Sequence, residues 1–165
     1  MHRAVITGLG PIASNGLGKT MFWDALTSGK TGIRKISSFN AAELPCRIAG
    51  EILPEWLTEY NGLYPDELPK SKACKLSVIA TMLALEDAGL DPAALAGYRT
   101  AVYMGVSTTD MEVVQREYNV YSENGLTQPD SLISAFPHTP AVVVSQALKS
   151  YDQVITISTA CTSGL

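Results

Sequence analysis

One long helical segment constrains the fold of this chain more than any other part of its sequence. Over residues 71–88, apolar residues recur at intervals of three and four, and Gly89 follows as a helix-ending residue. The residues of this repeat are Ala73, Leu76, Ile79, Ala80, Leu83 and Ala84. Because apolar side chains cover most of the perimeter of such a helix, it has to be packed on several sides. We therefore expect residues 71–88 to form one of the most buried elements.

Strands and helices alternate along the rest of the chain. Runs of β-branched and small apolar residues predict strands at residues 4–7, 47–52, 101–106 and 153–158. Further helices are predicted at residues 19–28 and 110–121, the second with Asp110 near its start. Thr139 and Pro140 favour a helix start, although the three valines that follow favour a strand. The alternation predicts an α/β fold with a mostly parallel sheet covered by helices.

Composition and charge exclude several classes of protein. Of the 165 residues, 46% are hydrophobic and 17% are charged, which indicates one folded domain and excludes intrinsic disorder. A formal net charge of −4 gives no attraction to nucleic acid, and no stretch is apolar and long enough to predict a membrane span. Three cysteines without CxxC spacing predict neither a disulfide framework nor a zinc site. Reduced thiols and the lack of a signal-peptide pattern predict a cytoplasmic protein without nucleic-acid or membrane partners.

A glycine motif near the start of the chain has two readings. Residues 8–13, which include Gly8 and Gly10, match the dinucleotide-binding pattern GxGxx(G/A). That pattern needs a helix to open at once towards the pyrophosphate, whereas Pro11 and the turn-forming residues 14–16 delay the helix. An acidic residue at the end of a second strand, which would bind the ribose, is also missing. We therefore favour a structural glycine turn and keep a nucleotide-binding α/β protein as the alternative.

A cysteine near the end of the sequence is the strongest candidate for chemistry. The predicted strand at residues 153–158 runs into Cys161, whose neighbours in the stretch STACTSGL are small. Small residues permit a sharp strand-to-helix turn that lifts the side chain above the sheet edge, and the positive end of a helix favours the reactive thiolate. Spacing alone leaves a buried core cysteine as the alternative. Cys46 and Cys74 lack partners in the sequence and are expected to be buried thiols.

The same residues resemble a known family. STACTSGL is similar to the active-site signature of β-ketoacyl synthases, the condensing enzymes of the thiolase superfamily. The stretches RAVITGLGPIASNGLG and FWDALTSGKTGI resemble the first strand, loop and helix of that family, and LALEDAGL and AVYMGV follow in the same order. Arg116, Glu117 and Tyr118, together with CTSGL, resemble the ketosynthase subunits of type II polyketide systems, and elongating fatty-acid ketosynthases are similar as well. The resemblance spans essentially the whole chain.

This resemblance implies a fold and a reaction. The fold is expected to be a thiolase-type half with a five-stranded, mostly parallel mixed sheet covered by helices. The reaction is expected to be the decarboxylative Claisen condensation of an acyl thioester with malonyl-acyl carrier protein, in polyketide or fatty-acid biosynthesis. Cys161 would be the catalytic nucleophile that carries the acyl group, and its backbone N–H would help to bind the oxyanion. No cofactor or metal is expected, because the phosphopantetheine arm is delivered by the acyl carrier protein.

The resemblance also implies partners. Members of the family are built from two related halves, so residues 1–165 are interpreted as the N-terminal half, ending just after the nucleophile, with the C-terminal half absent. That half would supply two histidines and a lysine, and neither His2 nor His138 matches them by position. The expected partners are this C-terminal half, an acyl carrier protein, and a second ketosynthase subunit in a homodimer or heterodimer paired across the last strand.

Two other functions fit the same residues. A thiolase-fold acyltransferase or decarboxylase would use the same cysteine for a different reaction. A non-catalytic partner subunit that shapes the chain-length cavity is the other alternative, but such subunits usually lack the cysteine, so Cys161 argues against it. Acylation of Cys161 by an acyl-carrier protein separates a catalytic subunit from a non-catalytic one.

Overall fold

The computed structural model of the chain describes residues 3–64, 71–108, 110–127 and 129–164. Its helices and strands are β1 Ile12–Ala13, β2 Gly16–Leu17, α1 Gly18–Thr27, β3 Ile33–Lys35, β4 Ile48–Gly50, α2 Lys72–Ala88, β5 Ala101–Gly105, α3 Met111–Asn124, α4 Pro129–Ala135, α5 Thr139–Leu148 and β6 Gln153–Ile157. Short 3₁₀ helices cover Pro54–Leu63, Pro92–Gly97 and Ala160–Gly164. Two units divide the chain: Met1–Asn61 with Ile79–Asp91, and Gly62–Val78 with Pro92–Leu165. None of the helices in the described ranges is long and apolar enough to cross a membrane.

Helix α2 confirms the prediction for residues 71–88 within one residue. Cys74, Val78 and Ile79 on this helix are completely buried. At its start, the Ser71 hydroxyl oxygen accepts a hydrogen bond of 3.1 Å from the N–H of Cys74, which is the bond that an N-cap serine makes. Gly89 follows with a φ of 66°, a left-handed conformation that ends a helix. Local capping and apolar periodicity therefore determine both ends of α2.

In the first unit, the glycine motif lies directly against helix α2. A Cβ atom on Gly8 or Gly10 would lie within 2.0 Å of a backbone carbonyl oxygen of α2. Between them, the Leu9 N–H donates a hydrogen bond of 3.0 Å to the carboxylate of Asp87 at the end of the same helix. Both glycines therefore have a structural role, as predicted, but in close packing rather than in a turn. Because α2 covers them, the packing argues against the dinucleotide-binding alternative.

Two antiparallel strand pairs, β1 with β2 and β3 with β4, also belong to the first unit. Directly after β4, the Glu51 carboxylate accepts hydrogen bonds of 2.6–3.2 Å from the backbone N–H and hydroxyl groups of Ser37 and Ser38. These bonds tie the loop after β3 to the end of β4. These bonds stabilise the ionised carboxylate and lower the pKa of Glu51 to about 2. The hydrogen bond from the Ser38 hydroxyl contributes most to this shift.

We expect the Glu51 contact to make the stability of the protein depend on pH in the acid range. The ordinary pKa of this carboxyl is 4.5, and the folded value is about 2. A group whose pKa is lowered by folding stabilises the folded state above its unfolded pKa and loses that contribution as the pH falls through the folded pKa. Glu51→Gln is therefore expected to lower the free energy of unfolding at neutral pH and to flatten its decline between pH 4.5 and 2. Urea titrations at several pH values measure both.

The control for this prediction is Glu43→Gln, which changes an exposed glutamate of the same unit. That variant is expected to keep the pH profile of the unmodified protein. A Glu51→Gln profile that runs parallel to the unmodified one across the acid range would contradict the role assigned to Glu51.

The second unit is built on a parallel pair of strands. All five residues of β5 pair in register with the five residues of β6. Helix α3 begins as predicted at Asp110, whose carboxylate accepts a hydrogen bond of 3.1 Å from the N–H of Glu112, and it ends at Gly125 with a φ of 71°. Helix α5 is largely buried, and its buried residues are Thr139, Pro140, Ala141, Val143, Val144, Ser145 and Leu148.

The predicted five-stranded sheet is not formed in the described residues. The strands there make three two-stranded sheets. Residues 4–7, predicted as a strand, are not in one, and Val5 and Ile6 are 76% and 84% exposed. A strand exists only through hydrogen bonds to a neighbour, and in the described part of the chain no strand pairs with this segment. The β-branched sequence alone cannot supply that neighbour.

Helices α4 and α5 differ from what the sequence predicts. Helix α4 is not predicted, because a seven-residue helix carries little periodicity. The valines after Pro140 are helical, so the strand alternative for this segment is wrong, since burial in α5 outweighs their β preference. The N-cap of α5 is His138 rather than Thr139. The Thr139 hydroxyl instead donates a hydrogen bond of 2.5 Å to the carbonyl of Ile133, before the helix begins.

Candidate active site

Cys161 lies where the last strand is followed by a helix. Strand β6 ends at Ile157, and the 3₁₀ helix Ala160–Gly164 places Cys161 at its second residue. The side chain is exposed, and its thiol has no hydrogen-bond partner within the described ranges. A thioester in solution can therefore reach the sulfur. Because no hydrogen bond in the described residues orients the thiol, the backbone that carries it has a large part in setting its direction.

The backbone immediately before the cysteine is strained. Ala160 has a φ of 54°, in the left-handed region. A residue with a Cβ atom adopts this conformation at a cost of about 1–2 kcal/mol. In the described part of the chain, Lys149 is the other non-glycine residue with a positive φ. Strain of this kind persists where the surrounding contacts hold it, so the contacts of Ala160 determine where Cys161 points.

A buried hydroxyl group bonds to the backbone on both sides of the strained residue, and the exposed Thr162 hydroxyl adds a hydrogen bond of 2.8 Å to the Thr159 carbonyl. Ser163 is 8% exposed. Its oxygen accepts a hydrogen bond of 2.9 Å from the N–H of Thr159, and its O–H donates one of 2.7 Å to the carbonyl of Ala160. Both backbone torsions of Ala160 lie between these two groups. The Ser163 hydroxyl therefore constrains the torsions that aim the next residue, Cys161.

The turn is packed against the end of strand β5. A Cβ atom on Gly105 would lie 2.4 Å from the carbonyl oxygen of Ser163, so only glycine admits this approach without a shift of the backbone. The Ser163 hydroxyl oxygen also lies 3.5 Å from the carbonyl oxygen of Val106. The Val106 N–H donates a hydrogen bond of 3.0 Å to the carbonyl of Ile157, which continues the pairing of β5 and β6 up to the turn.

The three cysteines of the chain have different environments. Cys46 is exposed, so the prediction that it is a buried thiol is wrong. Cys74 is buried as predicted, and burial raises the pKa of its thiol, which disfavours the reactive thiolate. All three cysteines lie in the described ranges, and Cys46 and Cys161 are the two that a reagent in solution can reach.

No histidine of the described residues is bonded to Cys161. The Nδ1 atom of His138 lies 2.7 Å from the Oγ1 atom of Thr156 in β6, so this ring is held against the strand. His2 lies outside the described residues. Within those residues, no cluster of histidine, cysteine and acidic side chains could hold a metal ion. The arrangement therefore offers an exposed thiol on a constrained turn, and no general base bonded to it.

Sequence reasoning located Cys161 but missed the groups that hold it. Ser163 stands in the motif, where its small size was read only as a requirement of the sharp turn. Gly105 lies inside the strand predicted at residues 101–106 and has no signal of its own in the sequence, because the carbonyl it makes room for lies far away along the chain.

Comparison with known proteins identifies the family. The family model "Beta-ketoacyl synthase, N-terminal domain" matches residues 1–165. The chain belongs to the β-ketoacyl synthase family. Among its relatives is the tetracenomycin polyketide synthase ketoacyl synthase alpha subunit of Streptomyces glaucescens, which is 38% identical over 99% of this chain and 40% of that protein. The chain therefore spans about two fifths of the length of the curated relatives it matches.

Solved structures of ketosynthases share the fold. The ishigamide ketosynthase/chain length factor superposes with a TM-score of 0.77 at 20% identity, over 94% of this chain and 39% of that one. A type II polyketide acyl-carrier protein complex with its ketosynthase matches with a TM-score of 0.72 at 21% identity, over 97% of this chain and 38% of that one. These neighbours confirm the predicted α/β class and show that the chain shares the fold of ketosynthases.

Proposed function

We propose that this β-ketoacyl synthase chain contributes the nucleophile for decarboxylative condensation in polyketide biosynthesis. The observation that carries the proposal is the exposed thiol of Cys161 on a constrained turn directly after β6, in a chain of this family. The similarity to the ketoacyl synthase alpha subunit of the tetracenomycin polyketide synthase favours the polyketide pathway over fatty-acid synthesis. Cys161 is the residue to which the family's cysteine signature corresponds.

In the first half of the reaction, Cys161 takes the acyl group. Its thiolate attacks the carbonyl carbon of the acyl thioester on the acyl carrier protein. The new bond joins that carbon to the cysteine sulfur, the bond to the phosphopantetheine sulfur breaks, and the carrier leaves as a thiolate, which takes a proton from water to replace the one that Cys161 gave up. The Cys161 N–H lies in the first turn of the 3₁₀ helix, where N–H groups have no partner within the helix, and it would help to bind the oxyanion.

In the second half of the reaction, the acyl group leaves the cysteine. Malonyl-acyl carrier protein loses carbon dioxide, and the electron pair of the broken bond forms an enolate. The enolate carbon attacks the acyl carbon on Cys161, a carbon–carbon bond forms, and the cysteine leaves as a thiolate. The described residues bring no cation or histidine to the thiol that would stabilise the enolate. We propose that residues 1–165 act as an N-terminal half and that a C-terminal half supplies those groups.

The partners follow from this chemistry. The acyl carrier protein brings both substrates on its phosphopantetheine arm, so no further cofactor is required, and one matched structure holds a carrier protein in complex with its ketosynthase. A second ketosynthase subunit, identical or homologous, is proposed to pair with β6. In support, β6 has β5 on one edge, and its other edge is unpaired in the described sheets.

We further propose that the complete protein is cytoplasmic. We also propose that the exposed residues Val5 and Ile6 belong to a strand of the five-stranded sheet of the family.

The test is an assay of acyl loading and condensation, first with the 165-residue chain alone and then with a C-terminal half added. The 165-residue chain is incubated with an acyl-carrier protein charged with an acyl group, then with malonyl-acyl carrier protein, and intact mass and product are measured. We expect an acyl adduct on Cys161 and no β-ketoacyl product from this chain alone. Addition of a C-terminal half that completes the family domain is expected to produce the β-ketoacyl thioester.

Two outcomes would contradict the proposal in different ways. Full condensation by the 165-residue chain alone would remove the need for a C-terminal half. Absence of any adduct, with or without that half, would instead favour a non-catalytic subunit.

A further inference from the structure

Ser163 is polar, buried and bonded to the backbone on both sides of the strained residue before the nucleophile. Its oxygen accepts from the Thr159 N–H at 2.9 Å and its proton is donated to the Ala160 carbonyl at 2.7 Å. Because the hydroxyl has one proton, the Ala160 carbonyl receives it, and the Val106 carbonyl at 3.5 Å is the weaker alternative acceptor. The one proton of the serine is therefore used within the turn and is not available for donation to a substrate.

The strained residue connects this hydroxyl to the nucleophile. The φ of 54° at Ala160 determines the direction in which the chain enters Cys161. The cysteine side chain makes no hydrogen bond of its own in the described part of the protein, so its direction is not fixed by a polar partner. The exposed Thr162 hydroxyl also donates to the Thr159 carbonyl, at 2.8 Å, but it does not bond to Ala160 itself. Loss of the two Ser163 bonds therefore makes it easier for Ala160 to return to an ordinary negative φ. The thiol would then point along a different line.

A second contact shows that the position of Ser163 is itself constrained. A Cβ atom on Gly105 would lie only 2.4 Å from the carbonyl oxygen of Ser163. The turn is therefore packed closely against the end of β5. The backbone of Ser163 is thus packed against β5, while its hydroxyl bonds to the Ala160 carbonyl. A loose loop residue would show neither feature.

We propose that Ser163 is a positioning residue for acyl transfer to Cys161. This inference rests on the proposed function, because it assigns to Ser163 the alignment of the thiol with an incoming thioester carbonyl. Acyl transfer requires a defined angle of attack and a nearby oxyanion donor, and a misplacement of about 1 Å can cost about 100-fold in rate. Alkylation by iodoacetamide requires little more than an accessible thiolate. Loss of Ser163 is therefore expected to slow acyl transfer far more than alkylation.

The experiment compares these two reactions in the full 165-residue chain carrying Cys46→Ser, which leaves Cys161 as the one exposed thiol. The acyl donor is the octanoyl thioester of N-acetylcysteamine, a small mimic of the phosphopantetheine arm, and intact mass gives the rate of each reaction. Ser163→Ala is expected to lower the acylation rate by about 10- to 100-fold. Its alkylation rate is expected to stay within about threefold. Ser163→Thr, which keeps the hydroxyl, is expected to restore most of the acylation rate.

The matched control is Ser145→Ala. Ser145 is 2% exposed, and its hydroxyl donates to the carbonyl of Ser150, so this change also removes a buried hydroxyl bonded to a turn in the same unit. It is expected to lower the unfolding temperature as Ser163→Ala does, and to leave the ratio of the two rates unchanged. A ratio for Ser163→Ala that equals the ratio for Ser145→Ala would overturn the inference and leave a purely structural role.

Failure of the proposed function gives a different result. If the chain carrying Cys46→Ser alone accepts no acyl group while iodoacetamide still modifies Cys161, the proposed nucleophile is wrong, and the positioning role falls with it. If Ser163→Ala does not fold, the change is made in an Ala160→Gly background, where residue 160 carries no strain. Because glycine populates negative φ as readily as positive φ, the hydroxyl is still needed to hold the turn, so the double variant is expected to acylate about threefold or more slower than Ala160→Gly alone. Equal ratios of acylation to alkylation in these two variants would overturn the inference.

Discussion

Replacement of Cys161 by alanine is expected to abolish acyl loading while leaving the fold intact. Without the thiol no thioester can form, so the adduct falls below detection, and condensation in the completed enzyme falls by at least about 1,000-fold, as when other catalytic nucleophiles are removed. The thiol is exposed and makes no hydrogen bond within the described residues, so its loss is expected to change the free energy of unfolding by less than about 0.5 kcal/mol. Intact mass after incubation with acyl-carrier protein measures loading, and thermal unfolding measures stability.

The matched control is Cys46→Ala, which removes the other exposed thiol of the chain. It is expected to leave acyl loading unchanged, because Cys46 lies before β4, outside the strained turn, and its thiol donates a hydrogen bond of 3.4 Å to the carbonyl of Ile48. An acyl adduct that survives Cys161→Ala and disappears with Cys46→Ala would transfer the role of nucleophile to Cys46.

Among the substitutions proposed for this protein, Gly10→Ala is expected to cause the largest loss in the free energy of unfolding. The new Cβ atom would lie 1.9 Å from the carbonyl oxygen of Ala80 and 2.7 Å from the N–H nitrogen of Ala84. These are backbone atoms of a helix and cannot turn aside as a flexible side chain does. The segment must lift from α2, which strains the hydrogen bond from Leu9 to Asp87. We expect a loss of about 3 kcal/mol or more in the free energy of unfolding and a midpoint lower by about 6–12 °C.

The control for the glycine prediction is Gly62→Ala. A Cβ atom on Gly62 would meet no heavy atom within 4 Å, and its φ is not positive. This change is expected to alter the free energy of unfolding by no more than about 1 kcal/mol, and the reduced freedom of the unfolded chain favours a small increase. Urea and thermal unfolding of both variants provide the comparison. If Gly10→Ala is no less stable than Gly62→Ala, the close packing of the glycine segment on α2 is incorrect.

Local sequence signals predicted the elements that local interactions determine. Helix α2 was predicted within one residue because its apolar repeat and Gly89 belong to the segment itself. Helix α3 was predicted from Asp110, whose carboxylate bonds to backbone N–H groups only two and three residues ahead. The predicted strand at residues 4–7 failed for the opposite reason, since a strand needs a partner from elsewhere and the described residues supply none.

Sequence by itself determined the family, the α/β class and the position of Cys161, because a run of small residues after a strand and a helix of apolar periodicity are local patterns. Only the tertiary structure decided what holds that cysteine. Ser163 and Val106, whose oxygens lie 3.5 Å apart, are separated by 57 residues, and the room that Gly105 leaves for the turn has no local signature. Contacts of this kind depend on which distant backbone atoms are brought together, so the strained turn at Ala160 became visible only in three dimensions.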